Sequence, residues 1–447
     1  MTNEKYGLIG KTLVHSYSKE IHEALGRYQY QLFSLAEDEM PDFINARDFR
    51  GLNVTIPYKK DVIPLCDEVT DLARGIGAVN TLFWKNASGT GASESISQEN
   101  KILVGHNTDY EGFLYAASRA GIDFEGKGVL ILGTGGTSLM AHRAAADQNA
   151  AKIYIASRHP ETDPPSGSEL QDAGILSTVS YDQLPEIADS IDVIVNTTPV
   201  GTFPNNMQQV IRLKDFPGCQ AVIDVIYNPF KTALLLEAEK LGLKYTNGLP
   251  MLVAQATAAA GYFLGTPGAF QKENQRIIKS MKQQMGNIVL IGMPGTGKSL
   301  IGKFLAELTG KTLQDTDAKI EEEAKMTIPE IFEKEGEAGF RDRESAICKK
   351  LGKERNLIIA TGGGAILRPE NVDALRQNGT LVHITRSIDK LPTRGRPLSK
   401  NIETLKKMEA QRMPLYKSAA DITFRNNYTC SRKKLRQRVN TYILEKL

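Results

Sequence analysis

Residues 287–299 read NIVLIGMPGTGKS, in which a short apolar run leads directly into a glycine-rich loop that ends in Lys and Ser. The spacing fits G-x-x-x-x-G-K-[ST], the pattern of loops that wrap a polyphosphate with backbone N–H groups. The apolar run predicts a buried parallel strand. The IGKFLAEL that follows predicts a helix whose N-terminus faces the anion. A nucleotide-binding domain therefore begins near residue 287, and more than half of the 447-residue chain precedes it.

Each position of this loop has an expected task. The ammonium group of Lys298 is expected to reach the β- and γ-phosphates of ATP, and the hydroxyl of Ser299 is expected to bind Mg²⁺. The glycines allow the backbone to approach the phosphates closely. The other residues assigned to ATP are Gly292, Gly295, Thr296, Gly297 and Leu300.

Length and composition exclude several classes of protein. A chain of 447 residues suggests about three domains, and 41% hydrophobic with 24% charged residues is typical of globular proteins. The net charge of +3 predicts neither a nucleic-acid partner nor a membrane partner. The four cysteines are far apart and form no C-x-x-C, which predicts free thiols. The chain start lacks the layout of a signal peptide and no apolar stretch could cross a bilayer, so a cytoplasmic location is expected.

Residues 1–113 alternate apolar runs with amphipathic segments, and polar side chains collect in four of the connecting loops. These side chains are Ser16 and Ser18 in HSYS, Thr55 and Lys59 in NVTIPYK, Asn80 in GAVNT and Asp109 in GHNTD. A lysine beside a carboxylate can supply the proton that an alkoxide needs after a hydride reaches a ketone. The alternatives are helix caps for the serines and Asp109, and an ordinary surface ion pair for Lys59 and Asp109.

The same loops carry predictions of local structure. We expect a helix to begin near Lys19 and a strand over 77–85 that includes Asn80. Pro57 is expected in the first turn of a helix that follows NVTI, because the ring of proline suits that turn.

Together the four loops resemble the substrate domain of the shikimate dehydrogenases, and the resemblance continues to about residue 270. It implies that Lys59 and Asp109 form the catalytic pair. AVIDVIYNPF resembles the segment whose tyrosine approaches the substrate, and NGLPMLVAQATAA resembles a helix that returns to the first domain. The residues that the resemblance assigns to the substrate are Ser16, Ser18, Thr55, Asn80, Tyr227 and Gln255.

A βαβ unit for a dinucleotide is predicted by GVLILGTGGTS (128–138) and KIYIASR (152–158). Its third fingerprint position is Ser138, where Gly or Ala is usual. An acidic residue at the end of the second strand would select NAD, but the chain has Ser157 and Arg158, and an arginine favours the 2′-phosphate of NADP. The alternative is an NAD-dependent quinate dehydrogenase, against which Arg158 argues. The other residues assigned to the cofactor are Gly133, Gly135, Gly136, Thr137, Gly248 and Met251.

The segments after the phosphate loop resemble the shikimate kinases in their order. They are TLQDTD with Asp315 and Asp317, GEAGFRDRE with Arg341, LIIATGGGAI with Gly363, TRGRPLS with Arg396 and QRMPLY with Arg412. The two aspartates, two apart on an extended segment, are expected to point the same way. Arg341 is expected after a glycine-containing turn.

The kinase resemblance implies roles for these residues. Asp315 would orient Mg²⁺ through water, Asp317 would bind shikimate and act as the base, and Arg396 would stabilise phosphoryl charge from a lid. Gly395 alone separates Arg394 from Arg396, so the lid is short and its closure is expected to be weaker. The residues that the resemblance assigns to shikimate are Asp317, Arg341, Gly363 and Arg412.

The implied fold is α/β, a two-domain dehydrogenase with a Rossmann NADP domain followed by a P-loop, nucleoside-monophosphate-kinase-like domain with a parallel sheet. The expected boundaries are 1–113 for the substrate domain with returning helices at about 240–270, 114–239 for the Rossmann domain, 271–286 for a helical linker and 287–447 for the kinase.

Both halves point to the same metabolite. The sequence therefore predicts one enzyme that reduces 3-dehydroshikimate with NADPH and phosphorylates shikimate with ATP and Mg²⁺. The alternative outside enzymes is a quinate- or shikimate-binding regulator, which would lack Lys298 or the Lys59–Asp109 pair. The sequence does not determine an oligomeric state, so a homo-oligomer stays open.

Overall fold

The computed structural model describes residues 5–13, 16–86, 101–162, 174–391, 402–427 and 431–447. The chain divides into two compact units. The first consists of Met1–Val200, Gln209–Phe230 and Leu234–Lys279, and the second of Gly201–Gln208, Lys231–Ala233 and Ser280–Leu447.

The first unit begins with a mixed six-stranded sheet. Its strand order is β2-β1-β3-β5-β6-β4, and β5 runs antiparallel to both of its neighbours. The elements of this part are β1 (Tyr6–Gly10), α1 (Ser18–Glu23), β2 (Tyr30–Ser34), α2 (Glu39–Asn45), β3 (Gly51–Val54), β4 (Glu68–Val69), α3 (Asp71–Ile76), β5 (Thr81–Asn86), β6 (Lys101–His106) and α4 (Asp109–Arg119).

The second sheet is parallel throughout, in the order β12-β11-β10-β7-β8-β9. Counted from β7, this is the 3-2-1-4-5-6 order of a Rossmann fold. Its central strands are continuous apolar runs because helices and apolar clusters cover both faces. The elements are β7 (Gly128–Leu132), α5 (Gly136–Asp147), β8 (Lys152–Ser157), β9 (Leu176–Ser180), α6 (Leu184–Ile187), β10 (Val193–Asn196), β11 (Ala221–Asp224), α7 (Ala233–Lys240), β12 (Lys244–Thr246), α8 (Gly248–Phe263) and α9 (Asn274–Met285).

Helix α8 returns from the second sheet to the first. It is rich in alanine and largely buried, as expected for a helix that is apolar on all sides. Its small side chains let it pack closely against α4, where a Cβ atom on Gly112 would lie 2.6 Å from the carbonyl oxygen of Met251. This contact places Met251 and Gln255 beside the first residues of α4.

The second unit contains a parallel five-stranded sheet in the order β14-β15-β13-β16-β17. Strand β13 is central, and the chain crosses to opposite sides of it, so a crevice is expected at its carboxyl end. The elements are β13 (Asn287–Ile291), α10 (Lys298–Thr309), β14 (Thr312–Asp315), α11 (Thr316–Ala324), α12 (Ile328–Lys353), β15 (Leu357–Ala360), α13 (Pro369–Arg376), β16 (Gly379–Thr385), α14 (Ile402–Ala419), β17 (Ile422–Arg425) and α15 (Arg432–Val439).

The predicted α/β fold class is confirmed, but two local predictions in the first unit were wrong. No α-helix follows Pro57; the chain makes turns and then one 3₁₀ turn at Ile63–Leu65. Pro64 lies within this 3₁₀ turn and has no backbone N–H, so it cannot donate the hydrogen bond that would continue an α-helix. Asp109 is the first residue of α4, and Thr108 occupies the cap position. The strand predicted over 77–85 begins only at Thr81, so Asn80 lies just before β5 and not within it.

One prediction in the second unit was also wrong, and another was confirmed. Asp315 ends β14 and caps α11, and Asp317 lies in the first turn of that helix, so the pair does not share an extended segment. The carboxylate of Asp315 accepts a hydrogen bond from the backbone N–H of Asp317, and this bond starts the helix early. Arg341 lies within α12, which bends at Gly336 where φ is 69°. Gly336 interrupts the helical conformation, so Arg341 follows a glycine-containing bend, as predicted.

Three cysteines in the described part of the chain, Cys66, Cys219 and Cys348, are free thiols, as predicted. Cys430 lies outside the described residues. Of the helices that the structure describes, none combines the length and the apolar character that crossing a bilayer requires.

Candidate active sites

A cleft of about 380 Å³ lies in the first unit, between the carboxyl ends of strands from both of its sheets. Residues from the four polar loops, from the glycine turn after β7 and from α8 line it together. The predicted site residues that it brings together are Ser16, Ser18, Thr55, Lys59, Asn80, Asp109, Thr137, Tyr227, Gly248, Met251 and Gln255. The structure thus gathers in one place side chains that are separated by up to about half of the chain.

Lys59 and Asp109 form an ion pair inside this cleft. Lys59 Nζ lies 2.5 Å from Asp109 Oδ2, and the two side chains are 24% and 17% exposed. The backbone carbonyl of Lys59 accepts from Val79 N at 2.8 Å, which ties the turn after β3 to the chain that leads into β5. A pair this shielded from water interacts more strongly than an exposed surface pair.

The lining of the cleft also includes Asn53 and Tyr17, to which no role had been assigned. Asn53 of β3 lies in its wall, and Tyr17 packs edge-on against Tyr227 with ring centroids 6.0 Å apart. Asn53 precedes the predicted Thr55 by two residues, which in a strand places both side chains on the same face. The motif NVTIPYK (53–59) already groups Asn53 with Thr55 and Lys59, whereas nothing in the sequence indicates the contact between the two tyrosines.

The glycine turn after β7 has the shape that a dinucleotide needs. Gly133 has φ of 101°, a conformation that favours glycine, and added Cβ atoms on Gly135 or Gly136 would meet nothing within 4 Å. The backbone N–H groups at the start of α5 therefore face open space, which fits a diphosphate. The side chain of Ser138 is buried. It occupies the third fingerprint position, at which a small residue allows the helix to pack closely on the strand.

The two residues predicted to select the cofactor lie at the end of β8, Ser157 as its last residue and Arg158 directly after it. Ser157 is buried, and its hydroxyl accepts a hydrogen bond from His159 N at 2.9 Å. Arg158 is exposed beyond the end of the strand. An exposed guanidinium at this position is available to a phosphate group.

A cleft of about 610 Å³ lies at the carboxyl end of the sheet in the second unit. It brings together ten of the predicted residues, which are Gly295, Gly297, Lys298, Ser299, Leu300, Asp315, Asp317, Arg341, Gly363 and Arg412. Gly292 and Thr296 belong to the same loop but do not line the cleft. Arg396 lies outside the described residues, as does the rest of the predicted short lid.

The phosphate loop is held by its own backbone and by the chain that follows β17. Lys298 Nζ donates to the carbonyl oxygens of Gly292 at 2.8 Å and Met293 at 3.1 Å. Asn426 Nδ2 donates to the carbonyl oxygen of Thr296 at 2.7 Å. Gly297 caps α10 with φ of 98°, and a Cβ atom there would lie 2.6 Å from Asn426 Nδ2. This position therefore requires glycine.

Two carboxylates face the start of α10. Ser299 Oγ donates to Asp315 Oδ2 at 3.0 Å. The pKa of Asp317 is raised to about 6, chiefly by burial and then by the charges of Asp315 and Glu344. No group of three or more His, Cys, Asp or Glu side chains suited to a metal occurs in the described part of the chain. A hydroxyl and a carboxylate nevertheless fit Mg²⁺, which takes few protein ligands and completes its shell with water and phosphate.

The two predicted arginines are fixed by different partners. Arg341 Nη1 donates to Glu344 at 2.7 Å and Nη2 donates to Glu337 at 3.1 Å. Arg412 Nη1 donates to the carbonyl oxygen of Gly363 at 2.9 Å. Both guanidinium groups are largely buried and line the cleft, so they can bind a carboxylate with little loss of side-chain entropy.

The sequence analysis had not singled out Glu344. Its side chain is 1% exposed, and burial raises its pKa. It lies three residues after Arg341 on α12, a spacing that brings two side chains of a helix together. That spacing in FRDRE is the signal that could have identified it.

Comparison with known proteins covers both units. Residues 8–82 match the family model described as shikimate dehydrogenase substrate binding domain, and residues 294–447 match the one described as shikimate kinase. The NADP(+) shikimate dehydrogenase of Caldicellulosiruptor bescii is 35% identical over 268 residues, which cover 57% of this chain and 88% of that protein. The chain belongs to the shikimate dehydrogenase family and carries a shikimate kinase domain.

Solved structures agree with this assignment for the dehydrogenase part. A chorismate mutase/shikimate 5-dehydrogenase fusion protein from Clostridium acetobutylicum is 32% identical with a TM-score of 0.54, covering 63% of this chain and 98% of the other. Shikimate 5-dehydrogenase from Thermus thermophilus, solved with NADP(H) and shikimate, is 28% identical with a TM-score of 0.51, covering 62% and 99%. The family predicted from the sequence motifs is therefore confirmed.

Proposed function

We propose that the chain is a bifunctional enzyme that reduces 3-dehydroshikimate to shikimate with NADPH and then phosphorylates shikimate with ATP. The observation that carries the proposal is that each unit has its own cleft, one built around Lys59 and Asp109 and the other around Lys298 and Asp317. The relatives named as NADP(+) enzymes support the choice of cofactor, and so does Arg158, which is exposed where a 2′-phosphate would lie.

In the dehydrogenase cleft, bound NADPH supplies the hydride that reduces the ketone carbon. The ammonium group of Lys59 donates a proton to the oxygen that gains charge in this step. Asp109, in contact with Lys59, holds its ammonium group in place. The product gains one hydride and one proton, which completes a secondary alcohol.

In the kinase cleft, Asp317 accepts the proton of the attacking hydroxyl. Its pKa of about 6 leaves it ionised at neutral pH but closer to a working base than an exposed aspartate. Lys298 and the phosphate loop hold the triphosphate, Ser299 and Asp315 would hold Mg²⁺, and Arg396 would stabilise the transferring group. Arg341 and Arg412 bind the carboxylate of shikimate, and the product is shikimate 3-phosphate.

The domain boundaries remain part of this proposal. We assign 1–113 with helices of about 240–270 to the substrate domain, 114–239 to the NADP domain, 271–286 to a linker and 287–447 to the kinase. Helix α9 occupies most of the proposed linker.

The experiment that tests the proposal uses two alanine variants of the full chain. Lys59→Ala should lower dehydrogenase turnover by roughly 10²- to 10⁴-fold, as expected for loss of a proton donor, and leave kinase turnover unchanged. Lys298→Ala should have the opposite pattern. Each variant thus serves as the folding control for the other. Loss of both activities in both folded variants would show that the two sites are not independent, and the proposal would be wrong.

The reaction order is tested in a coupled assay. The wild-type protein is given 3-dehydroshikimate, NADPH and Mg-ATP, and the phosphorylated product is followed. We expect it to form only when both NADPH and ATP are present. Product formed without NADPH would contradict the order.

A further inference from the structure

A buried chain of polar groups lies behind the substrate wall of the dehydrogenase cleft. Its members are Tyr30, Asn53, Asn80, Thr81 and Thr108, and none of them is more than 4% exposed. Asn53 and Asn80 line the cleft, whereas the other three do not. Burying so many polar groups is unfavourable unless each is satisfied, so the arrangement of their hydrogen atoms is strongly constrained.

The side-chain amide of Asn80 can have only one orientation. The backbone N–H of Thr108 donates to Asn80 Oδ1 at 2.7 Å. A backbone N–H can only donate, so the side-chain atom that faces it must be the oxygen. The hydroxyls of Thr81 and Thr108 also approach this oxygen, at 3.0 and 3.2 Å. The NH₂ group of Asn80 therefore lies on the opposite side of the amide.

The amide of Asn53 is fixed by the same logic. Asn53 Nδ2 faces the carbonyl oxygen of Asn80 at 3.3 Å, and a carbonyl oxygen can only accept. Asn53 Oδ1 accepts from the hydroxyl of Tyr30 at 2.7 Å. The second hydrogen of Asn53 Nδ2 is directed to the hydroxyl of Thr81 at 3.2 Å.

Thr81 joins these two amides. Because its hydroxyl accepts from Asn53, its single hydrogen is left for Asn80 Oδ1 or for the hydroxyl of Thr108, which lies at 2.9 Å. The Thr108 hydroxyl can in turn donate to Asn80 Oδ1. By either path the hydrogen bonds run in one direction and end at that oxygen.

We propose that Thr81 is a positioning residue of the dehydrogenase cleft, whose hydroxyl acts together with the backbone N–H of Thr108 to hold the amide of Asn80 so that its NH₂ group faces the substrate. The inference rests on the proposed dehydrogenase function. A fixed NH₂ group can donate a hydrogen bond to a ligand oxygen that has a free lone pair, such as a ring hydroxyl of a polyol acid. A ligand with an apolar group at the position of that oxygen would leave the NH₂ group without an acceptor and would bind more weakly. The Thr81 hydroxyl therefore affects the binding of the substrate and takes no part in hydride or proton transfer.

The test compares Thr81→Val with Thr81→Ser in the full chain. Valine keeps the shape and removes the hydroxyl, so Asn53 loses an acceptor and the path of hydrogen bonds that ends at Asn80 Oδ1 loses its link through Thr81. We expect KM for shikimate to rise by roughly 5- to 50-fold, the range expected when a buried hydrogen-bonding group loses its partner. KM for NADP⁺, kcat and kinase activity should change less than about twofold, because the hydroxyl touches none of the reacting atoms. Serine keeps the hydroxyl and should restore KM to near the wild-type value.

A second pair of variants distinguishes an effect on substrate binding from a loss of folding. Tyr30→Phe removes the hydroxyl that holds Asn53, and it should raise KM for shikimate in the same direction but less. Tyr245→Phe is the matched control, because the Tyr245 hydroxyl donates to Glu239 Oε1 at 3.0 Å and belongs to β12 of the other sheet in this unit. It should leave KM unchanged. Thermal unfolding followed by the fluorescence of Trp84, the single tryptophan, reports the folding of this unit.

The outcomes separate the inference from the function on which it rests. An unchanged KM in a folded Thr81→Val or Tyr30→Phe protein, or equal impairment of Thr81→Ser and Thr81→Val, would overturn the positioning role. Failure of the wild-type protein to oxidise shikimate with NADP⁺ would instead overturn the proposed dehydrogenase function.

Discussion

His383 shows how a single buried side chain can make the kinase unit sensitive to acid. It lies on β16, it is 2% exposed, and it stacks on Tyr416 with ring centroids 4.8 Å apart. Burial, and then the charges of Lys298 and Lys417, lower its pKa to about 4. In the unfolded chain the same imidazole takes up a proton near pH 6.5. Unfolding therefore binds a proton between about pH 6.5 and 4, and the stability due to neutral His383 is lost as the pH falls through that range.

We predict that His383→Phe reduces this acid sensitivity. Phenylalanine keeps the stacked ring and cannot be protonated, so the free energy of unfolding should fall less steeply between about pH 6.5 and 4, by up to about 1.4 kcal/mol per pH unit. Calorimetry at several pH values in this range measures the difference. The transition of the first unit in the same samples should not change. Parallel pH curves for the variant and the wild type would contradict the prediction.

Single residues also show what the sequence could and could not reveal. Lys59, Asp109, Lys298 and Arg412 were identified because each lies in a motif whose spacing has a chemical reason. The motif of Asn80 indicated substrate binding, but the orientation of its amide depends on Thr108, which lies 28 residues away. Such a contact depends on tertiary packing, and no local pattern predicts it.

At the scale of elements, the contact between α4 and α8 limits what can replace a glycine. An added Cβ atom on Gly112 would lie 2.6 Å from the carbonyl oxygen of Met251 and 3.0 Å from Gln255 N. The neighbouring atoms are backbone, so they can yield only if the helices move apart. Met251 and Gln255 both line the dehydrogenase cleft, so such a movement would alter it.

We therefore predict that Gly112→Ala destabilises the first unit by roughly 1–3 kcal/mol, although alanine is the better helix former. It should also lower dehydrogenase kcat/KM and leave kinase activity unchanged. The matched control is Gly75→Ala in α3, where a Cβ atom would meet only the flexible end of Arg143 at 3.0 Å. Gly75→Ala should leave the unfolding temperature of the first unit unchanged or raise it slightly. Equal effects of the two substitutions would show that the close helix contact is unimportant.

Elements were predicted well where one pattern dominated. Strand β13 and helix α10 follow from an apolar run, a glycine loop and a regular helical spacing, and both are present. The errors came where two local preferences competed. Pro57 suits a helix start, but the chain after it forms turns and a 3₁₀ turn that contains Pro64, which lacks the backbone N–H that an α-helix needs. Asp315 ends a strand and also caps a helix, so the chain leaves the extended conformation before Asp317.

At the scale of the whole molecule, each unit has its own core and its own cleft, so each ligand should stabilise one of them. We predict that NADP⁺ raises the unfolding temperature of the first unit and that ADP with Mg²⁺ raises that of the second. A ligand at about 100 times its Kd contributes about 2.7 kcal/mol to the unit that binds it. Trp84 lies in the first unit, so its fluorescence reports that transition, and calorimetry reports both.

Shikimate is the instructive control, because the proposed function requires both units to bind it. Shikimate should raise the unfolding temperatures of both units, whereas each nucleotide should raise the unfolding temperature of one unit. A single transition that moves equally with either nucleotide would show that the units unfold together, contrary to the prediction.

Helix α8 has a consequence for protein engineering. It begins beside the last strand of the nucleotide sheet, yet its length packs against α4 and the opposite sheet. A chimera designed to exchange cofactor preference between relatives should therefore take its recombination point before Gly248 and leave α8 with the parent that donates the substrate loops. A junction placed after Phe263 would combine α8 of one parent with α4 of the other, and the contacting surfaces of these two helices would not have evolved together.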